Sequence, residues 1–150
     1  PGQVVIAGEK NAVAHVCELL KEAGAKRALI LPVSVPSHCS LMKGAAAKFK
    51  TYIEPVNFKT GNVKVIHNVD ADYAGGIEAI KTKLVEQLYM PVLWTSSINK
   101  MRDSGVERLI EAGPGKVLTG LTRRIDKSLS ASAIIDVSSL KSIIEEISNV

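Results

Sequence analysis

The sequence predicts a mixed α/β fold. Short apolar runs of strand length alternate along the chain with longer segments in which apolar residues recur at helical spacing. Of the 150 residues, 46% are hydrophobic, so the chain is able to bury a core. Because aromatic residues make up only 4%, that core has to be built from valine, isoleucine, leucine and alanine.

The N-terminal part of the chain predicts a β-α-β unit. Apolar runs rich in β-branched residues favour strands over residues 3–7 and 26–33. Between them Asn11 is a plausible N-cap, apolar residues follow at helical spacing, and Gly24 is the expected C′ residue of the helix. A single unit of this kind leaves sheet edges exposed. We therefore expect it to need further strands, supplied by chain that precedes it.

The rest of the chain continues the alternation. The loop at residues 34–37, which Pro32 and Pro36 bracket, marks the expected boundary between two subdomains. Helices are expected to stop before Pro55 and Pro91, because proline breaks a helix interior. The predicted helices cover residues 37–52, 77–89, 94–104, 116–127 and 138–148, and the predicted strands cover residues 63–69, 106–112 and 133–137.

Charge and hydropathy exclude several classes of protein. The net charge is +4, from 19 basic and 15 acidic residues, and no aromatic residues interleave with the pair Arg123 and Arg124, so we predict no nucleic-acid partner. No apolar run approaches the ~20 residues of a membrane span and no signal peptide is visible, so we predict no membrane association. Two cysteines, Cys17 and Cys39, are too few for a disulfide-stapled secreted fold, which favours a cytoplasmic protein.

The chain begins with Pro1 instead of methionine. We therefore expect it to be a fragment or a processed form of a longer protein. Residues that precede Pro1 in that protein are expected to hold part of any functional site.

The three histidines are the first candidates for acid–base chemistry, since histidine titrates near neutral pH without assistance. His38 lies in the proline-bracketed loop and opens a predicted helix, a position from which an imidazole can face a cleft. His15 is expected to be a half-exposed helix residue. His67 is expected to be a hydrogen-bonded residue of a strand, beside Asn68.

A general base requires a nucleophile within hydrogen-bond reach. Cys39 adjoins His38, but neighbouring side chains at a helix start point apart, so a Cys–His pair is not expected. None of the serines stands in a G-x-S-x-G elbow. The sequence thus offers a base without a recognisable nucleophile, and it shows no spacing typical of metal ligands.

A glycine-rich turn at residues 113–116 raises the possibility of a phosphate site. Ile110 and Val117 stand where a Walker A loop requires glycine and a hydroxyl residue, and Leu118 stands where a dinucleotide motif requires its third glycine. A strand-to-helix turn is therefore the favoured interpretation, although the N-terminus of the helix that follows is still able to contact an anion.

Four stretches of the chain are distinctive in combination: PGQVVIAG at residues 1–8, VSVPSHC at 33–39, QLY at 87–89 with PV at 91–92 and Trp94, and GPGKVLTGL at 113–121. Their order and spacing resemble those of the stand-alone bacterial malonyl-CoA:acyl carrier protein transacylases. Together they span nearly the whole chain, which resembles the C-terminal half of that family.

The resemblance implies an acyltransferase of fatty-acid synthesis. In the family a serine in a Gly-His-Ser-Leu-Gly motif of the N-terminal half attacks malonyl-CoA, and the malonyl group then passes to the phosphopantetheine thiol of acyl carrier protein. By the match, His38 is the general base for that serine, and Gln87 orients it through its main-chain carbonyl. Gln3 and Asn68 are implied to line the substrate cleft. The oxyanion donors and the arginine that reads the malonyl carboxylate belong to the N-terminal half, and malonyl-CoA is a substrate, with no bound cofactor.

The resemblance also implies a fold, an α/β-hydrolase-like core with an inserted ferredoxin-like subdomain. Residues 1–36 would be the closing half of that insert, and residues 37–150 the C-terminal part of the core. Two alternatives stay open. One is a non-catalytic module that docks an acidic carrier protein, for which Lys116, Arg123 and Arg124 offer positive charge although a solvated face is favoured. The other is an unrelated anion-binding α/β domain.

Overall fold

The computed structural model describes residues 3–59 and 61–149 and has the mixed α/β composition that the sequence predicts. Contacts divide the chain into two compact units, one ending at Leu93 and one beginning at Trp94. The helices of the described residues are too short or too polar to cross a membrane. The elements are α1 (Lys10–Glu22), a 3₁₀-helix (Ser40–Met42), α2 (Lys43–Ile53), α3 (Ile77–Glu86), α4 (Trp94–Asp103), β1 (Arg108–Ala112), α5 (Val117–Ile125), β2 (Ser130–Ile134) and α6 (Val137–Ser148).

The C-terminal unit is built on a parallel strand–helix–strand unit. β1 pairs with β2 in a register that sets Arg108 opposite Ser130 and Ala112 opposite Ile134. Parallel strands require a long crossover, and α5 supplies it. The strand predicted over 106–112 and the helix predicted over 116–127 are confirmed as β1 and α5. The strand predicted over 133–137 lies three residues earlier, at Ser130–Ile134, because these residues pair with β1 and Val137 already begins α6. The core of the unit is aliphatic, with Ile98, Leu129, Ala131 and Ile143 buried beside Thr122.

The last helix begins at a capping box. The Asp136 carboxylate accepts a hydrogen bond from the Ser139 N–H, and the Ser139 hydroxyl lies 3.0 Å from the Asp136 N–H. Two orphan N–H groups of the first turn are satisfied in this way. The cap places the start of α6 at Val137, one residue before the start that the sequence predicted.

The start of α1 differs from the prediction. Glu9, and not Asn11, is the N-cap, because the Glu9 carboxylate reaches the N–H groups of Asn11 and Ala12 at 2.9 and 3.0 Å. Asn11 therefore lies inside the helix. Gly24 follows the C-cap of α1 with φ +89°, the left-handed conformation expected of it.

The helix predicted over residues 37–52 is interrupted at its start. His38 has φ +63° and Cys39 is extended, with φ −139° and ψ 169°, so neither residue has helical backbone angles. The Cys39 thiol donates to the Pro36 carbonyl at 3.1 Å, which holds this bend. A single 3₁₀ turn over Ser40–Met42 then leads into α2.

Three predicted strands are not formed in the described residues. Residues 3–7 and 26–33 have no hydrogen-bonded strand partner, and residues 63–69 contribute only the single antiparallel bridge between Ile66 and Tyr73. A strand is stable only when a neighbour satisfies its backbone groups, and apolar sequence alone does not supply one. The unpaired segments leave their apolar side chains in solvent, with Val4 86% exposed and Val33 73% exposed.

We predict that Ser128→Ala raises the pKa of Asp126. The Ser128 hydroxyl and N–H, together with Arg102, donate to this carboxylate and lower its pKa from 3.8 to about 2. Because the folded-state pKa is depressed, the stability that the carboxylate contributes is present above about pH 4 and is lost as pH falls through about 2. An NMR titration of the Asp126 carboxyl carbon measures the shift.

Ser104→Ala is the matched control, since it removes another serine hydroxyl of the same unit, one that donates to the Lys100 carbonyl. The Asp126 titration should not change in that variant. An Asp126 titration that is also the same in Ser128→Ala and in the parent would contradict the account of this hydrogen-bonded pair.

Candidate active site

His38 lies in a turn immediately ahead of the 3₁₀-helix, in a left-handed backbone conformation with φ +63°. For residues other than glycine this conformation costs roughly 1–2 kcal/mol. The His38 N–H donates to the main-chain carbonyl of Leu88 at 2.9 Å, which offsets part of that cost. A strained residue held in place by a distant segment is a common feature of functional sites.

The imidazole of His38 is held by a second carbonyl of the same segment. Nδ1 of His38 lies 2.7 Å from the main-chain oxygen of Gln87. A carbonyl oxygen only accepts hydrogen bonds, so Nδ1 carries the proton of the neutral ring and Nε2 keeps its lone pair. Because the side chain is exposed, Nε2 is open to a reacting group. This tautomer is the one that a general base requires.

The end of α3 explains why these two carbonyls are available. The last carbonyls of a helix have no intrahelical partner. α3 ends at Glu86 with Gln87 as its C-cap, and the chain then turns through Leu88 and Tyr89. The Gln87 and Leu88 carbonyls thus point out of the helix end and accept from His38, 49 residues away from Gln87 in sequence.

No nucleophile is paired with His38 in residues 3–59 and 61–149. Within these residues the ring contacts the Gln87 carbonyl, and no hydroxyl or thiol hydrogen-bonds to it. The Cys39 thiol bonds to Pro36, as the sequence argument against a Cys–His pair expects. Among the same residues no three metal-ligating side chains cluster. In the described residues, His38 is therefore a candidate base with no nucleophile paired to it.

Asn68 belongs to a turn that several main-chain hydrogen bonds stabilise. The Ile66–Tyr73 bridge closes residues 66–73, the His67 N–H donates to the Asp72 carbonyl, and the Ala71 N–H donates to the His67 carbonyl. The Asn68 carbonyl accepts from the Leu93 N–H at 2.9 Å. His67 therefore lies in a turn and not in the strand predicted for it, because the bridge ends at Ile66.

The other histidines differ from His38 in their surroundings. His67 is 8% exposed, and burial, with the nearby Lys83 cation, lowers its pKa. His15 lies on α1, as the sequence predicts, but it is exposed and not half-exposed, and it lines a shallow groove with Lys21 and Ile30. Neither is held by two main-chain carbonyls as His38 is.

The structure brings together some of the predicted site residues. Gln87 contacts His38 directly through its carbonyl oxygen. Asn68 is half-buried and bonds to Leu93, and Gln3 is exposed in the N-terminal segment. Neither of these two is a hydrogen-bond partner of His38 in the described part of the chain.

The N-terminus of α5 is already occupied by a side chain of this protein. The Glu111 carboxylate accepts from the N–H groups of Leu118 and Thr119 at 3.1 and 2.8 Å and from the Thr119 hydroxyl at 2.8 Å. Burial opposes ionisation of this carboxyl, but the hydrogen bonds outweigh burial and lower its pKa. The glycine-rich turn at 113–116 therefore leads to the N-terminus of α5, which the Glu111 side chain already caps. Sequence reasoning missed Glu111, whose only signal is an acidic residue inside an apolar strand.

We predict that Glu111→Ala makes the α5 N-terminus bind phosphate, whereas the parent chain does not. Removing the carboxylate frees amide donors that favour an anion. Titration with inorganic phosphate, followed through the amide NMR signals of Leu118 and Thr119, measures binding. Asp136→Ala, which uncaps α6, is the control and should leave these two signals insensitive to phosphate. Phosphate-dependent shifts at Leu118 in the parent chain would contradict the internal cap.

Comparison with known proteins gives one consistent result. No family model matches the chain. The malonyl CoA-acyl carrier protein transacylase of Escherichia coli K12 is 52% identical over 145 residues, which are 97% of this chain and 47% of that protein. The chain thus spans about half the length of the curated relatives it matches.

Solved structures agree with the sequence comparison. A malonyl-transacylase solved with its type II polyketide synthase acyl carrier protein superposes with TM-score 0.90 at 49% identity, covering 93% of this chain and 45% of that one. The transacylase of Xanthomonas oryzae gives TM-score 0.89 at 40% identity, covering 93% and 44%. By sequence and by fold, this chain therefore corresponds to the C-terminal half of the malonyl-CoA:acyl carrier protein transacylases, as its motifs predicted.

Proposed function

We propose that this chain is the histidine-bearing half of a malonyl-CoA:acyl carrier protein transacylase of fatty-acid synthesis, with His38 as the general base and Gln87 as the residue that orients it. The observation that carries the proposal is the 2.7 Å contact between Nδ1 of His38 and the Gln87 carbonyl. It fixes the ring tautomer with Nε2 free, which is the task that the carboxylate performs in a Ser-His-Asp triad.

The first half-reaction follows from this geometry. A serine of the N-terminal half gives its hydroxyl proton to Nε2 of His38 while its oxygen attacks the thioester carbon of malonyl-CoA. The tetrahedral intermediate collapses by breaking the carbon–sulfur bond, and the imidazolium returns the proton to the departing CoA sulfur. The products are free CoA and a malonyl ester of the serine.

The second half-reaction is the reverse with a different thiol. The phosphopantetheine thiol of acyl carrier protein gives its proton to Nε2 and attacks the ester carbonyl. The serine oxygen leaves and takes the proton back, so that His38 and the serine end unchanged. Malonyl-CoA and acyl carrier protein are substrates, and the reaction consumes no bound cofactor. As the family resemblance implies, the oxyanion donors and the arginine for the malonyl carboxylate come from the N-terminal half, while Gln3 and Asn68 line the cleft.

The unpaired segments of the N-terminal unit support a finer description of the fold. We assign residues 1–36 to the closing half of a ferredoxin-like subdomain and residues 37–150 to the C-terminal part of an α/β-hydrolase-like core. Exposed apolar residues over 4–6 and 29–33 have the pattern of strands that lack a partner, and strands of the N-terminal half would cover them. The division of contacts between Leu93 and Trp94 lies within the proposed core.

Two further features belong to the proposal. We place the enzyme in the cytoplasm, and both Cys17 and Cys39 are free thiols, the state that a reducing compartment maintains. Acyl carrier protein is the proposed macromolecular partner, since one structural relative was solved in complex with the carrier protein it serves.

A docking module without catalysis is the second candidate. It is favoured by one observation, that His38 has no nucleophile bonded to it in the described residues. The two candidates differ in what they require of the imidazole. A docking module tolerates loss of the His38 side chain, whereas the transacylase does not.

We predict that His38→Ala lowers malonyl transfer about 10²–10⁴-fold, the usual contribution of a general base. The enzyme to be tested is a single polypeptide in which this chain follows the N-terminal half of the Escherichia coli relative, called here the completed enzyme. Transfer from malonyl-CoA to acyl carrier protein measures activity, and circular dichroism verifies folding.

His15→Ala is the matched control, because it removes an exposed imidazole of α1 and should leave the transfer rate within about twofold of the parent, the range expected for a surface substitution. Near-parental transfer by folded His38→Ala would reject His38 as the base and favour the docking module. A completed enzyme that folds but transfers no malonyl group would reject the transacylase itself.

A further inference from the structure

The two carbonyls that accept from His38 lie on one short segment, residues 83–93. Both ends of this segment are hydrogen-bonded to the same turn. At one end Lys83 of α3 bonds to the turn at residues 66–73, and at the other end the Leu93 N–H donates to the Asn68 carbonyl. Gln87 and Leu88 lie between these ties. The turn therefore bridges the segment that presents both carbonyls to His38.

The Lys83 tie is the stronger of the two, because a charged donor strengthens each hydrogen bond. Its ammonium nitrogen lies 2.6 Å from Oδ2 of Asp70, 2.8 Å from the carbonyl oxygen of Tyr73 and 3.2 Å from that of Asp72. These three contacts match the three protons of an ammonium group. The Lys83 side chain is only 13% exposed, so water competes weakly for the donors.

The Asp70 carboxylate, which accepts from Lys83, is stabilised in its charged form. Partial burial opposes ionisation of Asp70, but the hydrogen bond from Lys83 and that from the Asp72 N–H lower its pKa. Ala71, between these two acids, is 7% exposed and has φ +57°, so the turn keeps a conformation that a free loop avoids. Lys83 bonds to residues on both sides of Ala71.

The connection from Lys83 to the imidazole is short. The Gln87 N–H donates to the main-chain carbonyl of Lys83 at 3.0 Å, so Lys83 lies one helical turn before Gln87. A displacement of this turn of α3 moves the Gln87 carbonyl relative to His38. A hydrogen bond of 2.7 Å loses strength quickly with distance and angle, so a small displacement is enough to free the ring.

We propose that Lys83 is a positioning residue for the catalytic histidine. By fastening α3 to the turn at 66–73, it keeps the Gln87 carbonyl on Nδ1 of His38 and thereby keeps Nε2 unprotonated and correctly directed. The inference rests on the proposed function, because it gives Lys83 a task only if His38 is the general base. Lys83 itself contacts no reacting atom in this account.

The experiment compares Lys83→Met with Lys81→Met in the completed enzyme. Lys81 is a close match, since it lies on the same helix, is 15% exposed and donates to a main-chain carbonyl, that of Glu54, at 2.6 Å. It lies outside the bridged segment. Loss of a buried lysine contact is thus common to both variants, and only Lys83→Met releases the segment that carries Gln87.

The readouts are kcat, KM for malonyl-CoA, and the tautomer of His38 seen by two-bond proton–nitrogen NMR of the ring. We expect Lys83→Met to lower kcat about tenfold or more with little change in KM, since misplacing a catalytic group by about 1 Å costs up to about 100-fold. We expect its His38 ring to lose the pure Nδ1–H form and to exchange between tautomers. Lys83→Arg keeps the charge and several donors and should restore most of both properties.

Each outcome decides a different point. If Lys83→Met keeps both the pure Nδ1–H tautomer and the kcat of Lys81→Met, the positioning role is wrong. If Lys83→Met does not fold, Lys83→Gln, which retains polarity but is too short to reach all three acceptors, replaces it under the same criteria. If His38→Ala in the same assay retains activity, the proposed function has failed and not merely the role of Lys83.

Discussion

The hydrogen bond between Nδ1 of His38 and the Gln87 carbonyl is the contact on which the site depends. It joins a strained turn to the C-terminal end of a helix 49 residues further along the chain. Without it the His38 ring is an exposed imidazole free to rotate and to change tautomer. With it, one nitrogen is a fixed donor and the other a directed acceptor. A main-chain carbonyl suits this task because it is never protonated in the working pH range and its position is set by the helix.

The two compact units differ in whether their predicted strands find hydrogen-bonded partners within the unit. In the C-terminal unit β1 and β2 pair with each other, α5 crosses between them, and a buried aliphatic core results. In the N-terminal unit the segments most apolar in sequence find no strand partner and remain exposed. His38, the proposed general base, lies in this N-terminal unit. In the proposed enzyme a single polypeptide, the N-terminal half, would supply both the strands that these exposed segments lack and the nucleophile that His38 lacks.

Local features of the fold were predictable from the sequence, and contacts between distant residues were not. Helical spacing located α1 and α3, the glycine-rich turn at 113–116 located the start of α5, and Gly24 ends α1 as expected, because these features depend on residues close in sequence. A strand also needs a hydrogen-bonded partner, which an apolar run does not reveal. The apolar runs at 3–7 and 26–33 were predicted as strands for that reason, and the described residues do not pair them.

The site divides in the same way. His38 was a candidate because it lies in a loop that opens a predicted helix. Its association with Gln87 came from the family resemblance and not from any local pattern. The Glu111 cap on α5 and the Lys83 tie to Asp70 could not be predicted, since a charged residue in a strand or a helix does not reveal its partner in space. The catalytic role of His38, the orienting role of Gln87, and the cleft positions of Gln3 and Asn68 all stay predictions.

The most direct test of the account is malonyl transfer to acyl carrier protein by this chain alone and then by this chain mixed with a separately prepared N-terminal half of the Escherichia coli relative. The account predicts no transfer by either half alone and measurable transfer by the mixture, lost again when His38→Ala replaces the parent chain. Transfer by this chain alone would contradict it, because a nucleophile would then have to lie within these 150 residues. A mixture that associates but transfers nothing would contradict the proposed transacylase, and a mixture that still transfers malonyl with His38→Ala would contradict the catalytic role of His38.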